Sequence, residues 1–164
     1  MKQHVTFLVV LSCYITSFAQ VNYGTPTNEP LPDKLQGLER IIEVSHFPKK
    51  VDPIKKGDTY YWMHNTALLC AEKELTIIEF GAYIFYNDTW NLRQSYPLKS
   101  LDKNFGTKNQ IIAKGQPYTW SDNWRTGDTN FGGWALWFFI GKTSDGQTVC
   151  GYETIETTNN LLNK

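Results

Sequence analysis

The sequence predicts a mainly β protein: a single-domain antiparallel β-sandwich, or a small barrel, with at most one or two short helices. Three observations carry that expectation. Residues 75–86 (LTIIEFGAYIFY) are apolar at both parities, as in a strand covered on both faces. Residues 134–143 (WALWFFIGKT) and 147–157 are β-prone runs joined by Ser144-Asp145-Gly146, which marks a hairpin. Helical spacing is confined to stretches of about two turns.

The composition excludes several classes. The chain has 164 residues, 15% aromatic and 20% charged, too apolar a mix for disorder. Its 16 Lys+Arg balance 16 Asp+Glu, which argues against partners held by counterion release. No nucleic acid or anionic lipid is therefore expected as a partner, and oligomeric state is not readable.

Residues 1–19 read as a signal peptide. Lys2 precedes an apolar run, and Ser17-Phe18-Ala19 puts small residues at −3 and −1 of a cut before Gln20. The expected location is secreted or periplasmic. Leu11-Ser12-Cys13 faintly resembles a lipobox, so a lipid anchor at Cys13 is the alternative. The run is too short to span a bilayer, and no transmembrane segment is expected. Removing 19 of the 164 residues leaves 145, suited to one domain.

Residues 20–34, rich in Pro, Asn and Thr, form an extended lead-in, and residues 35–160 a single β-rich domain. The domain opens with a helical turn through Leu35, Leu38, Ile41 and Ile42, or with a strand over 40–45. Pro48 and Pro53 exclude a long element before Gly57. Residues 58–65 are aromatic-rich and read as a strand, while 67–73 (ALLCAEK) are the best helical competitor. On plain alternation the 75–86 strand shows Leu75, Ile77, Tyr83 and Phe85 on one face. Ile78, Phe80, Ala82 and Ile84 then lie on the other. Gly81 marks a bulge or a close backbone approach. Residues 87–100 read as turn-rich, 101–105 as a helical turn, and 110–113 and 118–124 as strands. Cys70, Trp90 and Cys150 follow the immunoglobulin order, but Thr148 occupies the tyrosine-corner position, which disfavours that fold.

With Cys13 in the leader, Cys70 and Cys150 remain. Two cysteines in an oxidising compartment most often pair, so a Cys70–Cys150 disulfide is expected. Closing that loop would contribute roughly 4 kcal/mol in the chain-entropy picture. The alternative is two separate buried thiols.

Signatures of catalysis are thin. His46 and His64 lack any zinc spacing, even with Glu79 added. Residues 122–128 (DNWRTGD) match an EF-hand at positions 1 and 6 only, which leaves an irregular calcium site from Asp122, Asp128 and Asn130. Cys70 and His64 would form a thiol pair only without the disulfide. No glycine loop opens a helix, and no cofactor is expected. Glu79 interrupts an apolar strand and is the best catalytic candidate, facing a second acid such as Glu153 or Glu156. Pairing with Lys or Arg is the plainer reading of Glu79. Asn87-Asp88-Thr89 matches the N-glycosylation sequon.

The strongest anomaly is aromatic. Trp120, Trp124, Phe131, Trp134 and Trp137 fall within 18 residues, interleaved with Asp122, Asn123, Arg125 and Asp128. On a regular strand Tyr118, Trp120, Asp122 and Trp124 share one face. Flat rings beside short polar side chains suit a sugar, whose C–H face stacks while its hydroxyls meet Asp, Asn and Arg. The expected function is a secreted, non-catalytic binding module for a glycan or cell-surface polymer. Trp120 and Trp124 would stack, and Asp122, Asn123, Arg125 and Asp128 would supply polar contacts. A protein-interaction domain is the alternative, because Trp, Tyr and Arg dominate interface hot spots; a small hydrolase built on Glu79 is a third. Core packing is the competing use of these tryptophans.

Overall fold

In the computed structural model, which describes residues 24–162, the chain is mainly β with one α-helix. The signal-peptide and Cys13 expectations lie outside the described residues. In chain order the first strands are β1 (Glu39–Arg40), β2 (Glu43–Phe47), β3 (Lys50–Val51), β4 (Ile54–Lys56), β5 (Thr59–Leu69) and β6 (Leu75–Tyr86). They are followed by β7 (Thr89–Ser95), the helix α1 (Lys99–Phe105), β8 (Ile111–Ile112), β9 (Tyr118–Gly127), β10 (Gly133–Thr143) and β11 (Thr148–Thr157).

Two sheets pack face to face. The larger runs β1-β11-β10-β6-β7, with β3 also on β11 and β8 also on β6. In the smaller, β5 carries β2, β4 and β9. Pairing is antiparallel except where β1 and β3 join β11. The β10–β11 hairpin turns at Asp145-Gly146, as its sequence predicts, with Gly146 at φ 85 and Asp145 accepting from the Thr143 hydroxyl.

The central strand β6 departs from plain alternation. Ile140 pairs with Glu79 and Gly141 with Ile77, so Ile78 is an extra residue in the ladder. That bulge reverses the parity. Leu75 and Ile77 join Phe80 and Ala82 in the core between the sheets, while Tyr83 turns to the outer face. Gly81 is a close approach: a Cβ there would lie 2.2 Å from the Gln94 carbonyl oxygen.

The outer face of the large sheet carries a second core of Leu35, Tyr83, Leu136, Phe138, Ile140 and Cys150. It is covered by Leu31, Leu38 and Trp90, so the end of the lead-in is packed, with a 3-10 turn at Asp33–Leu35.

This two-core arrangement corrects the disulfide expectation. Cys70 and Cys150 are both buried and both free. Cys70 packs between the sheets, whereas Cys150 belongs to the outer core with its thiol toward the Leu38 carbonyl. Adjacent residues on β11 point to opposite faces, and Val149 takes the inner one. A sheet therefore stands between the two sulfurs. Burial pushes the Cys150 thiol up in pKa, and Arg40 offsets part of that.

The helical competitor over 67–73 gives way to strand, residues 67–69 continuing β5, and β7 lies within the stretch read as turn-rich, which differs from expectation. The turn into β7 has Asn87 and Asp88 both at positive φ (52° and 56°), the conformation of a tight two-residue hairpin.

The long sides of the sandwich differ. On one, the chain leaves β1 and crosses into β2, with the Ile41 and Ile42 amides both donating to the Cys150 carbonyl. On the other, β7 pairs only with β6 and β9 only with β5 among the described residues, so the sheets stand open. One end of that open side is stopped by α1, whose Leu101 and Phe105 enter the core and whose Gly106 (φ 73) ends the helix.

Candidate functional site

The open side is a cleft walled by β7 and β9. Its larger part, about 650 Å³, is lined among others by Tyr86, Asn91, Leu92, Arg93, Asp128 and Phe131. A deeper part of about 100 Å³ is lined by Arg93, Gln94, Tyr96, Trp124 and Trp137. Arg93, Arg125, Thr126 and Ile84 line both, so the two parts are continuous.

Each wall carries a bulge. In β7, Ala82 pairs with Gln94 and Tyr83 with Leu92, which makes Arg93 the extra residue. In β9, His64 pairs with Asn123 and Thr66 with Trp120, leaving Ser121 and Asp122 opposite Asn65. Asp122 has φ 54 there, and its amide donates to the Asn65 side chain. Bulges re-aim the side chains beside them. The one in β9 breaks the expected single face: Trp120 and Asn123 point inward, while Asp122 is exposed.

Trp124 is the exposed ring, at 48% of its full accessibility against 8% for Trp120. It meets Trp120 edge to face at 6.3 Å. Trp120 in turn meets Tyr96, Phe105 and Trp137 at 6.0, 5.8 and 5.7 Å. Trp124 thus stands at the mouth of an aromatic wedge anchored in the core. Trp137 lies in that core and Trp134 is half-buried.

Arg125 packs inward. Its guanidinium lies 4.0 Å from the Phe131 ring centre and 5.3 Å from that of Trp62, and Nη1 donates to Thr157. It braces the end of the sandwich and brings positive charge beneath the cleft.

Asn123 belongs to a buried polar chain behind the site. Its Nδ2 donates to Thr66 Oγ1 at 2.9 Å, and Thr66 Oγ1 lies 3.1 Å from His46 Nδ1. His46 Nε2 lies 3.2 Å from the Glu153 carbonyl oxygen, which can only accept. Nε2 therefore carries the proton and Nδ1 accepts from Thr66. The bonds run one way from β9 through β5 and β2 to β11, and they require a neutral imidazole. Burial accordingly lowers the His46 pKa to about 4, with Glu153 opposing and Lys49 assisting. The buried His64 ring stands 5.2 Å from that of His46. Burial, then His46, lowers the His64 pKa to about 3.

Of the residues expected to form the site, Trp124 and Asp128 line the cleft and Asp122 lies on the exposed bulge above it. Arg125 lines the cleft too while packing inward, and Trp120 and Asn123 act from behind. Sequence reasoning missed Arg93, Gln94 and Tyr96, whose only signal was a tight-turn pair, Asn87-Asp88, ahead of a polar strand.

The acidic residues of the metal and catalytic alternatives are dispersed over the fold. Asp122 stands on the β9 bulge and Asp128 just past the end of β9, with residues 123–127 of the strand between them. Among the described residues no three His, Cys, Asp or Glu side chains come together as metal ligands. Glu79 turns to the outer face, takes a salt bridge from Lys34 and a hydrogen bond from Ser95, and lies outside the cleft. A second hollow of about 500 Å³ lies at the β1–β2 crossover, lined by Glu39, Arg40, Glu43, Glu72 and Lys73. It has no aromatic platform, and Arg40 there is already engaged with Glu153 and the Tyr152 ring.

No family model and no curated protein matches the chain. Among solved structures it is similar to the X-ray structure of structural-genomics target SoR45, at 12% identity and TM-score 0.48, covering 77% of this chain and 94% of that one. It is also similar to a crystal structure of a Bordetella pertussis protein named ApaA, at 9% identity and TM-score 0.41, covering 72% and 95%.

Proposed function

We propose that this protein is a secreted or periplasmic, non-catalytic module that binds a glycan in the β7–β9 cleft. The carrying observation is Trp124: a half-exposed indole braced from behind by Trp120, at the lip of a cleft with Gln94, Asn91, Thr126 and Asp128 within it. An exposed indole with another ring at its back offers a flat stacking surface. Amide and hydroxyl groups around it suit sugar hydroxyls.

Titrating intrinsic tryptophan fluorescence against a panel of oligosaccharides tests the reading. A saturable change that Trp124→Ala abolishes in a folded protein is expected. A panel without any response would defeat it.

One observation favours a protein ligand instead. Leu92 is 50% exposed on β7, whose outer edge has no strand beside it among the described residues, and such an edge can accept a strand from a partner. A complex or dimer on a sizing column that Leu92→Lys disperses would select this second reading.

A further inference from the structure

The charges lining the cleft narrow the choice of sugar. Building on the glycan reading above, we propose that the β7–β9 cleft takes a carboxylated sugar, a uronic-acid unit, with Arg93 holding its carboxylate and Trp124 stacking on its ring.

Arg93 is the extra residue of the β7 bulge, lines both parts of the cleft and is exposed. It forms no salt bridge among the described residues, unlike Lys34, Arg40 and Lys50. Arg125 lines both parts as well, with its Nη1 donating to Thr157. The one carboxylate in the lining, Asp128, belongs to the larger part and does not reach the part holding Trp124, Tyr96 and Gln94. The stacking end of the cleft therefore presents the Arg93 guanidinium with no carboxylate in its lining, within a chain whose formal net charge is zero. Selection by charge would be local, with no field from the whole molecule.

The chemistry fits a carboxylate. A guanidinium presents a planar fork of donors that two carboxylate oxygens can meet together, and a charge-assisted pair is stronger than a bond to a sugar hydroxyl. Gln94 and Thr126 then remain for the hydroxyls of the same ring. A sulfated sugar offers the same sign of charge on a tetrahedral group, and the test separates the two.

Calorimetry on the full chain, backed by tryptophan fluorescence, would compare tetragalacturonate with its uncharged counterpart galactotetraose and with a sulfated galactotetraose. Tetragalacturonate is expected to bind at least about tenfold more tightly than the uncharged probe, the size of one charge-assisted bond. Arg93→Gln should erase that difference by weakening tetragalacturonate far more than the uncharged probe, while Arg93→Lys should restore part of it. Arg93 is exposed on an edge strand, and circular dichroism would check that both variants fold. Equal affinity for acidic and uncharged probes, or equal loss of both in Arg93→Gln, would overturn the carboxylate assignment and leave the glycan reading standing. Tighter binding of the sulfated probe would overturn it in favour of sulfate. Failure of all three probes and of a broad neutral panel would overturn the glycan reading itself.

Discussion

The two long sides of the sandwich are built in opposite ways. At the crossover side, two amides converge on the Cys150 carbonyl, and the chain passes so close to Gly151 that a Cβ there would lie 2.4 Å from the Ile42 oxygen. At the cleft side the two sheet edges are parted, and Trp124, Arg93 and Leu92 face solvent. The contrast separates where the fold is held from where a ligand can be held. Backbone contact closes one side, and side chains are left free to vary on the other.

The same substitution on each side tests that separation most severely. Gly151→Ala should cost about 3 kcal/mol or more, or prevent folding, because backbone and the Ile42 side chain both occupy the space. Gly127→Ala, beside the cleft, meets the Phe131 ring at 3.3 Å and should cost less than about 1 kcal/mol. Urea unfolding of the pair gives the comparison directly, and equal losses would break it.

Acid should act next, through the histidines behind the site. Both pKa values lie below the ordinary 6.5, so the unfolded chain takes up protons first. The stability they contribute is complete above pH 6.5 and is lost as pH falls toward about 4 for His46 and about 3 for His64. Urea midpoints across that window should drop steeply, and His64→Phe should flatten the drop.

Thr66→Val removes the hydroxyl that links Asn123 to His46 and should cost about 1–3 kcal/mol, read by thermal melting. Trp124→Ala should change stability least, by under about 1 kcal/mol, while weakening any glycan binding at least about tenfold. If instead it unfolds the protein, the cleft side is structural after all.

Much of the fold was legible because hydrophobic runs and turn residues are local signals. Residues 75–86 are β6 without correction, and the Asp145-Gly146 hairpin stands where the sequence placed it. What alternation could not convey was the bulges. One extra residue at Ile78 changes which apolar side chains of β6 meet the core, and one in β9 sends Asn123 inward and Asp122 out. A bulge is decided by pairing across strands, which no single segment records. β7 escaped for a different reason: an exposed edge strand buries little, so Thr89–Ser95 (TWNLRQS) has only Trp90 and Leu92 in alternation to announce it. The lining of the candidate cleft was legible in part, since Trp124, Arg125 and Asp128 lie on a segment with an aromatic signature and Arg93 on one without.

The unlinked thiols have a practical consequence. Each lies in its own apolar pocket on a different face of the large sheet, so the fold of the described residues does not wait on an oxidant. The chain is therefore suited to production in a reducing cytosol and should renature to one product with reductant present. Reagents that modify sulfhydryls would serve as clean reporters of its opening.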